Sequence, residues 1–372
     1  MPLYMDLHHI DPDITQEDLD KAHKKDLEVQ NKYNVSHKKY YVNFEEKTVF
    51  CLMEGPNKKA VHSSHAEVHG VGPCNIIEVS SLTPTFSFNA MIGDEGGKNS
   101  WDVALTKSGE IDTGFRTLML ITLFHFTSDD KSLAKGIFQI IENQDGKIVS
   151  QPDKKILVSF LHAQDGMYCL KSIISYLSQT KTIEYNLALI TGKPVDDTGS
   201  SLFQSTIHRL QTLCLLGQTR KAYVDSSTKS LFEKGLNNIE ELDYGLIRII
   251  SVKDFSILEE LSSVLENNCG NSSFRIGQIN DFLGLSKTQT YRKTKQLTGM
   301  SPSGLVLEMR LRKALVDLRD TDRTISQIAY DRGFNSPNYF TRAFKKRFRL
   351  LPTEFADLSK EIDRTKSKIK TV

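Results

Sequence analysis

The sequence predicts an α+β chain: two ferredoxin-like α/β sandwich domains, then an all-α domain built around two helix-turn-helix units. Three observations carry this. Apolar strand patterns alternate with helical patterns in the order βαββαβ over the first 81 residues, and a second α/β block begins near residue 115. From about residue 255 only helical periodicity remains. Charge divides the chain in the same way: Phe274 to the end carries 21 Lys and Arg against 10 Asp and Glu, while the preceding residues carry 27 against 36. The net charge of +2 over 372 residues conceals that split. A basic end on an acidic body suits a polyanion-binding module, although a solvated basic face would give the same count.

Each element has a local reason. Leu3, Met5 and Leu7 alternate with Tyr4, Asp6 and His8, as in a half-buried strand. Thr15 with Asp18 opens a helix in capping-box fashion, and Leu19, Ala22, Leu27 and Val29 help line its apolar side. Lys38 to Phe44 and Val49 to Met53 form a hairpin, and a helix runs from Asn57 to His69 with Gly70 as its stop. Ile76, Ile77 and Val79 give the last strand of the first block. Phe86 to Gly114, rich in Gly, Asp and Asn, carries no readable element. The second block reads strand Thr117–Phe126, helix Leu133–Glu142, hairpin Lys147–Ser150 with Ile156–Phe160, helix Gln164–Ser178 and strand Ile183–Thr191. A helix near Leu202–Leu216 and a short strand at Lys221–Asp225 follow, and a helix at Ile257–Asn267 opens the third block. The expected domains are residues 1–81, 115–250 and 255–358.

The longest apolar run, Leu118 to Phe124, is too short to span a membrane, and the first ten residues lack a signal-peptide pattern. A cytoplasmic protein with no membrane partner is expected. Five scattered cysteines without a C-x-x-C pair point to buried thiols, not disulfides or a zinc knuckle.

The helical end holds two matched units. Ile276–Leu283, the turn Gly284-Leu285 and a helix capped by Ser286 form the first; Ile325–Arg332, the turn Gly333-Phe334 and a helix opened by Ser336 and Pro337 form the second. Phe340, Phe344 and Phe348 recur every four residues with Ala343, leaving Asn338, Tyr339, Arg342, Lys345 and Lys346 outward. Asn and Arg can bond adenine and guanine edges in the major groove; the lysines, with Arg347 and Arg349, suit phosphates. The run GFNSPNYFTRAFKKRF at Gly333–Phe348, with Pro352 and Phe355, resembles the signature of AraC-type transcription regulators, and LSKTQTYRKTKQLTGMSP at Leu285–Pro302 resembles that family's first unit. The resemblance covers roughly Phe255 to Leu358. It implies two recognition helices on one connector entering successive major grooves about 34 Å apart. It also implies base-facing positions at Thr288, Tyr291 and Arg292 in the first helix and Asn338, Tyr339 and Arg342 in the second. Thr290 and Thr294 depart from the family, which packs Leu and Phe there, so the first unit is expected to be the looser one.

Seven of the ten histidines fall in the first 70 residues, and His62, His65 and His69 share one helical face. Imidazole nitrogen with carboxylate oxygen suits nickel, zinc or copper; solvated histidines on an amphipathic helix are the plainer alternative. The stretches LHHIDPDITQEDLDKAHKKDLEVQ and VFCLMEGPNKKAVHSSHAEVHG resemble ferredoxin-like nickel-binding proteins across residues 1–81. That resemblance implies Asp6, His8, His23, His65 and His69 as ligands of nickel or another divalent transition metal, with His62 an extra and His37 outside the set.

The middle block, through TLMLITLFHFT, GKIVSQPDKKILVSF and LALITGKPVDD, weakly resembles a class III nucleotidyl cyclase domain. Such enzymes need two carboxylates for two metal ions. The resemblance places one at Phe126 and the other at Asp153, the base-reading lysine at Val149 and the transition-state asparagine at Ser205; Arg209 alone remains of the last pair. One acid cannot hold a two-metal site, so no enzyme activity is expected; dimerisation, an effector site or a plain linker remain. The resulting expectation is a sequence-specific transcription regulator of double-stranded DNA whose N-terminal domains sense a metal ion or small-molecule effector or mediate homodimerisation, with a nickel-responsive regulator as the runner-up. A cyclase with a DNA-binding tail is the alternative of another class.

Overall fold

A computed structural model describes residues 1–79, 88–93, 96–124, 130–150, 155–179, 183–235 and 244–359. The first unit runs β1 (Leu3–His9), α1 (Gln16–Val29), β2 (Ser36–Asn43), β3 (Thr48–Glu54), α2 (Lys58–His69) and β4 (Asn75–Glu78). Its sheet is antiparallel throughout, in the order β2-β3-β1-β4, which is the ferredoxin-like arrangement. Thr15 caps α1 through a full capping box with Asp18, and Asn57 caps α2 by accepting the N–H of Ala60. α2 ends at Gly70, which takes the left-handed conformation.

After α3 (Phe88–Met91) come β5 (Arg116–Phe124), α4 (Asp130–Glu142), β6 (Lys147–Ser150), β7 (Lys155–Phe160), α5 (Ala163–Ser178) and β8 (Glu184–Gly192). These repeat the same plan. Then α6 (Gln204–Leu216), β9 (Lys221–Asp225), α7 (Ser226–Lys234) and β10 (Ile247–Ile250) add two parallel strands beside β8, giving the order β10-β9-β8-β5-β7-β6. The second sandwich is therefore ferredoxin-like at its centre and extended at one edge. The sequence reading missed α7 and β10. α7 buries only Thr228 and Phe232, and β10 is four residues long, so neither shows a full period.

The helical part comprises α8 (Val252–Asn268), α9 (Gly277–Leu283), α10 (Lys287–Thr298), α11 (Pro302–Asp320), α12 (Ile325–Asp331) and α13 (Pro337–Phe348), with further helix at 352–359. Among the described residues, no helix is long and apolar enough to cross a membrane.

The expectation of a half-buried β1 is corrected. Tyr4, Met5, Asp6 and Leu7 are all buried, because both faces of the sheet are covered. Tyr4, Val42, Val49 and Cys51 share a core with Leu19 of α1 and Val61 of α2. On the other face, Met5, Leu7, Tyr41 and Phe50 join one continuous apolar core with Leu118 and Ala188 of the second sheet, Leu210 of α6, Leu258 of α8 and Leu305 of α11. The unassigned stretch before β5 lies along the edge of β2: the Tyr40 N–H donates to the Asp102 carbonyl (2.9 Å) and the Ala104 N–H to the Tyr40 carbonyl (2.7 Å). Its pairing consists of isolated bridges, one to Tyr40 and two within the stretch, which leaves no strand-length periodicity.

Candidate nucleic-acid interface and metal centre

Both helix-turn-helix units owe their geometry to local chemistry. Ser286 caps α10 with a capping box to Gln289, and Ser336 caps α13 with Pro337 behind it. Gly333 turns between α12 and α13 at φ +78°, and a Cβ there would lie 2.9 Å from the Cys269 carbonyl oxygen. Only glycine meets both demands.

α13 has one aromatic and one polar side. Phe340 and Phe344 are fully buried, with Phe334, Phe348 and Phe355 beside them in rings 4.7–6.1 Å apart. Asn338, Tyr339, Arg342, Lys345 and Lys346 are all exposed, as are Thr288, Tyr291 and Arg292 on α10. All eight expected DNA-facing side chains therefore reach solvent, and α11 joins the two helices.

Arg347 departs from the expectation. It lies five residues beyond Arg342, about 140° round the helix at 100° per residue. There its guanidinium donates to Glu184 (2.7 and 2.6 Å) and Glu308 (2.6 and 2.8 Å). Burial works against its charge, and those two carboxylates override it and raise its pKa. Arg347 is a bridge to the α/β body, not a phosphate ligand.

Thr290 and Thr294 are buried, and both hydroxyls lack a hydrogen-bond partner. Replacing Thr294 by valine removes an unsatisfied oxygen at nearly constant volume. Thr294→Val is expected to stabilise the protein by about 1 kcal/mol, seen as a higher denaturant midpoint at unchanged slope. A lower midpoint would contradict it.

The histidine cluster sits between the first sheet and its helices. β1 alternates, so Asp6 and His8 project on the helix side, where α2 brings His65 and His69 and α1 brings Asp26. His65 lies between two carboxylates, Nε2 3.1 Å from Asp6 and Nδ1 3.3 Å from Asp26. His8 Nε2 is 3.4 Å from Asp6, and His69 Nε2 donates to Asp26 at 2.8 Å. Donor atoms of Asp6, His8, Cys51 and His65 lie within 4.8 Å of one another, and so do those of Asp26, His65 and His69. A cavity of about 250 Å³ is lined by His8, His23, Asp26, Cys51, His65 and His69.

Four of the five expected ligands, Asp6, His8, His65 and His69, thus fall in these two overlapping groups. His23 stands apart, with its Nε2 3.1 Å from Asp102. His62 is exposed. His37, expected outside the set, is buried with its ring 5.4 Å from that of His23 and 5.5 Å from that of His65. The sequence places Asp26 one helical turn from His23, but only the fold makes it a partner of His65 and His69 instead; His37 and Cys51 are set by the pairing of β2 with β3, which leaves no local signal. Cys74, expected buried, is exposed.

Electrostatics single out His65. Burial disfavours its charge, yet the carboxylates of Asp6 and Asp26 raise its pKa to about 10. Burial likewise opposes ionisation of Asp6, and the imidazoles of His8 and His65 hold its carboxyl far below the usual range. Burial and the nearby His65 push His37 down to about 4. Asp6 Oδ2, His8 Nε2, His37 Nε2 and both ring nitrogens of His65 are buried without hydrogen-bond geometry to any partner. These donor atoms converge from three elements at ion-pair distances, a nitrogen and oxygen set whose chemistry fits a divalent transition metal.

In the second sandwich, Phe126 and Asp153 lie outside the described residues. Val149 is buried, and the Ser205 N–H donates to Asp196. Arg209 stacks 4.2 Å from the Phe255 ring and reaches Asp225 at 3.7 Å.

A pair of capped helices on a single connector defines a double helix-turn-helix module. Residues 280–357 match the family model described as a helix-turn-helix domain, and residues 4–79 the model described as nickel responsive protein SCO4226-like. The transcriptional activator RhaS of Mannheimia succiniciproducens is 39% identical over 64 residues, 17% of this chain and 24% of that one. A solved transcriptional regulator of the AraC-type DNA-binding domain-containing proteins from Chromobacterium violaceum is 30% identical, covering 28% of this chain and 92% of that one at a TM-score of 0.27. SCO4226 from Streptomyces coelicolor is 34% identical, covering 22% of this chain and 98% of that one at a TM-score of 0.20. The chain carries a C-terminal helix-turn-helix domain of the AraC type and an N-terminal SCO4226-like domain. It spans 8–27% of the length of three curated relatives it matches.

Proposed function

We propose that this protein is a sequence-specific regulator of transcription that binds double-stranded DNA through α10 and α13 and is tuned by a divalent transition metal, nickel first, at the histidine cluster. The observation that carries the DNA reading is the division of α13, with a closed aromatic side against α11 and α12 and an exposed Asn338–Arg342–Lys345 side. Asn338 and Arg342 supply the paired donors and acceptors that read base edges, and Lys345 and Lys346 neutralise phosphate. No catalytic step belongs to this reading.

For the metal, the residues present fit. Asp6, His8, Cys51 and His65 offer oxygen, nitrogen and sulfur donors in one group, and Asp26 and His69 extend it through His65. A bound divalent ion would supply the positive charge that these carboxylates now draw from imidazolium. To serve as a ligand, His65 must give up the proton that Asp6 and Asp26 hold on it, so affinity rises with pH.

The DNA reading is tested by two substitutions. Arg342→Ala is expected to cost roughly 1–3 kcal/mol in specific binding and to relax preference at one base pair. Lys345→Ala should weaken all sequences alike and lower the salt slope by about one. In a selection from random DNA followed by salt-dependent titration, an unchanged site preference for Arg342→Ala would refute the assignment.

A further inference from the structure

The structure joins the histidine cluster to the DNA-binding module through one helix of the second sandwich. α6 is gripped at both ends. Before its first turn, the 193–203 loop is held by the first sheet: His9 Nε2 bonds Asp197 at 2.6 Å, and Asn75 Nδ2 donates to the carbonyls of Asp196 (2.7 Å) and Gly199 (2.8 Å). The Asp196 carboxylate in turn accepts the Ser205 N–H at 2.8 Å, inside the first turn of α6.

At the other end the last carbonyls of α6 have no partner within the helix and must find donors elsewhere. Buried Arg312 of α11 supplies them, reaching Leu215 at 2.9 Å, Gly217 at 3.2 Å and Cys214 at 3.3 Å. Asn186 of β8 donates to Cys214 and Gly217 from the sheet side, both at 2.9 Å. Arg312 also bonds Glu308 (2.8 Å), and Glu308 bonds Arg347, which is held by Glu184. Four charges in series, Arg312, Glu308, Arg347 and Glu184, thereby fix the back of α13 to the connector and to the first residue of β8.

We infer that α6 is a strut coupling the first sheet to the orientation of the DNA-binding module, with the Glu184–Arg347–Glu308–Arg312 chain as its far joint. His8 and His9 are neighbours on β1, one facing Asp6 in the cluster and the other facing Asp197. A change at His8 moves the backbone that carries His9, and the packed, doubly gripped helix passes displacement along its axis. The metal-driven part of this inference rests on the function proposed above; the mechanical part does not.

Hydrogen exchange on the full chain tests it. Asp197 and Glu184 are partly exposed and both substitutions keep the side-chain shape, so Asp197→Asn and Glu184→Gln are expected to keep the native fold. Without metal, Asp197→Asn is expected to speed exchange roughly fivefold in 204–217 and also in 305–318, far from the substitution. Glu184→Gln should speed 339–348 and 204–217 while leaving 58–69 unchanged. Effects confined to 193–203 in the first variant and to 339–348 in the second would overturn the strut. With nickel chloride, the wild type should slow exchange at 58–69 and alter it at 204–217 and 305–318; Asp197→Asn should keep only the first effect. If the distal effect survives in Asp197→Asn, α6 is not the route. If nickel slows nothing at 58–69, the metal reading falls, and the metal-free variants alone support or overturn the strut.

Discussion

Replacing His65 with alanine is expected to lower nickel affinity on the order of 100-fold and to destabilise the metal-free protein by about 3–5 kcal/mol. The two losses share a cause. His65 is the one side chain that belongs to both groups of donor atoms, and its imidazolium is the cation that two buried carboxylates, Asp6 and Asp26, face. Without it those carboxylates are left in a low-dielectric site with less positive charge to compensate them. The pH dependence has a definite sign. His65 has a folded pKa raised to about 10 from an ordinary 6.5, so its contribution to stability is full below about pH 6.5 and is lost as pH rises towards 10. The wild type should therefore lose stability across that interval when metal is absent, and His65→Ala should lose less. His62→Ala, at an exposed position, should stay within about 0.5 kcal/mol of wild type. Calorimetric titration and thermal unfolding of the full chain measure both quantities. Equal losses of affinity at His62 and His65 would mean diffuse chelation by surface histidines.

Phe344→Ala is expected to cost about 3–5 kcal/mol and to abolish specific DNA binding. Phe344 is fully buried, and its ring touches those of Phe340, Phe348 and Phe355 at 5.6, 4.7 and 6.1 Å. The second unit is small, and its core is a single cluster with Leu311, Leu315 and Leu318 of α11 and Ile328 of α12. A cavity at its centre has little structure around it to collapse and compensate. Arg342→Ala, by contrast, should leave stability unchanged while binding falls, so the pair separates folding from recognition. Loss of binding by Phe344→Ala with native stability would contradict the packing account. Near-native stability and binding together would contradict it as well.

The recognition helices were legible in the sequence because every feature that shapes them is local. Ser286 and Ser336 cap the helices that follow them, Gly284 and Gly333 take the positive φ, and the Phe340–Phe344–Phe348 spacing is one helical period. Exposure of Asn338 and Arg342 follows from that spacing. The βαββαβ order of the first block was legible for the same reason, since alternation along β1 and the caps of α1 and α2 are short-range signals.

What the sequence could not determine is which remote side chains meet. Arg347 reads as one more phosphate ligand among lysines, yet Glu184 and Glu308, 163 and 39 residues away, claim it. His37 and Cys51 look incidental until the pairing of β2 with β3 and of β3 with β1 sets them in the histidine cluster. β1 reads as half-buried because the sheet that covers its second face is built from residues more than a hundred positions later. Periodicity and capping are fixed by neighbours a few residues apart, so the sequence alone determined most of the helices and strands and the exposed side of α13, but not α7, β10 or the edge stretch before β5. The carboxylates around His65, the bridge at Arg347 and the grip on both ends of α6 depend on how those elements pack, and only the tertiary structure decided them.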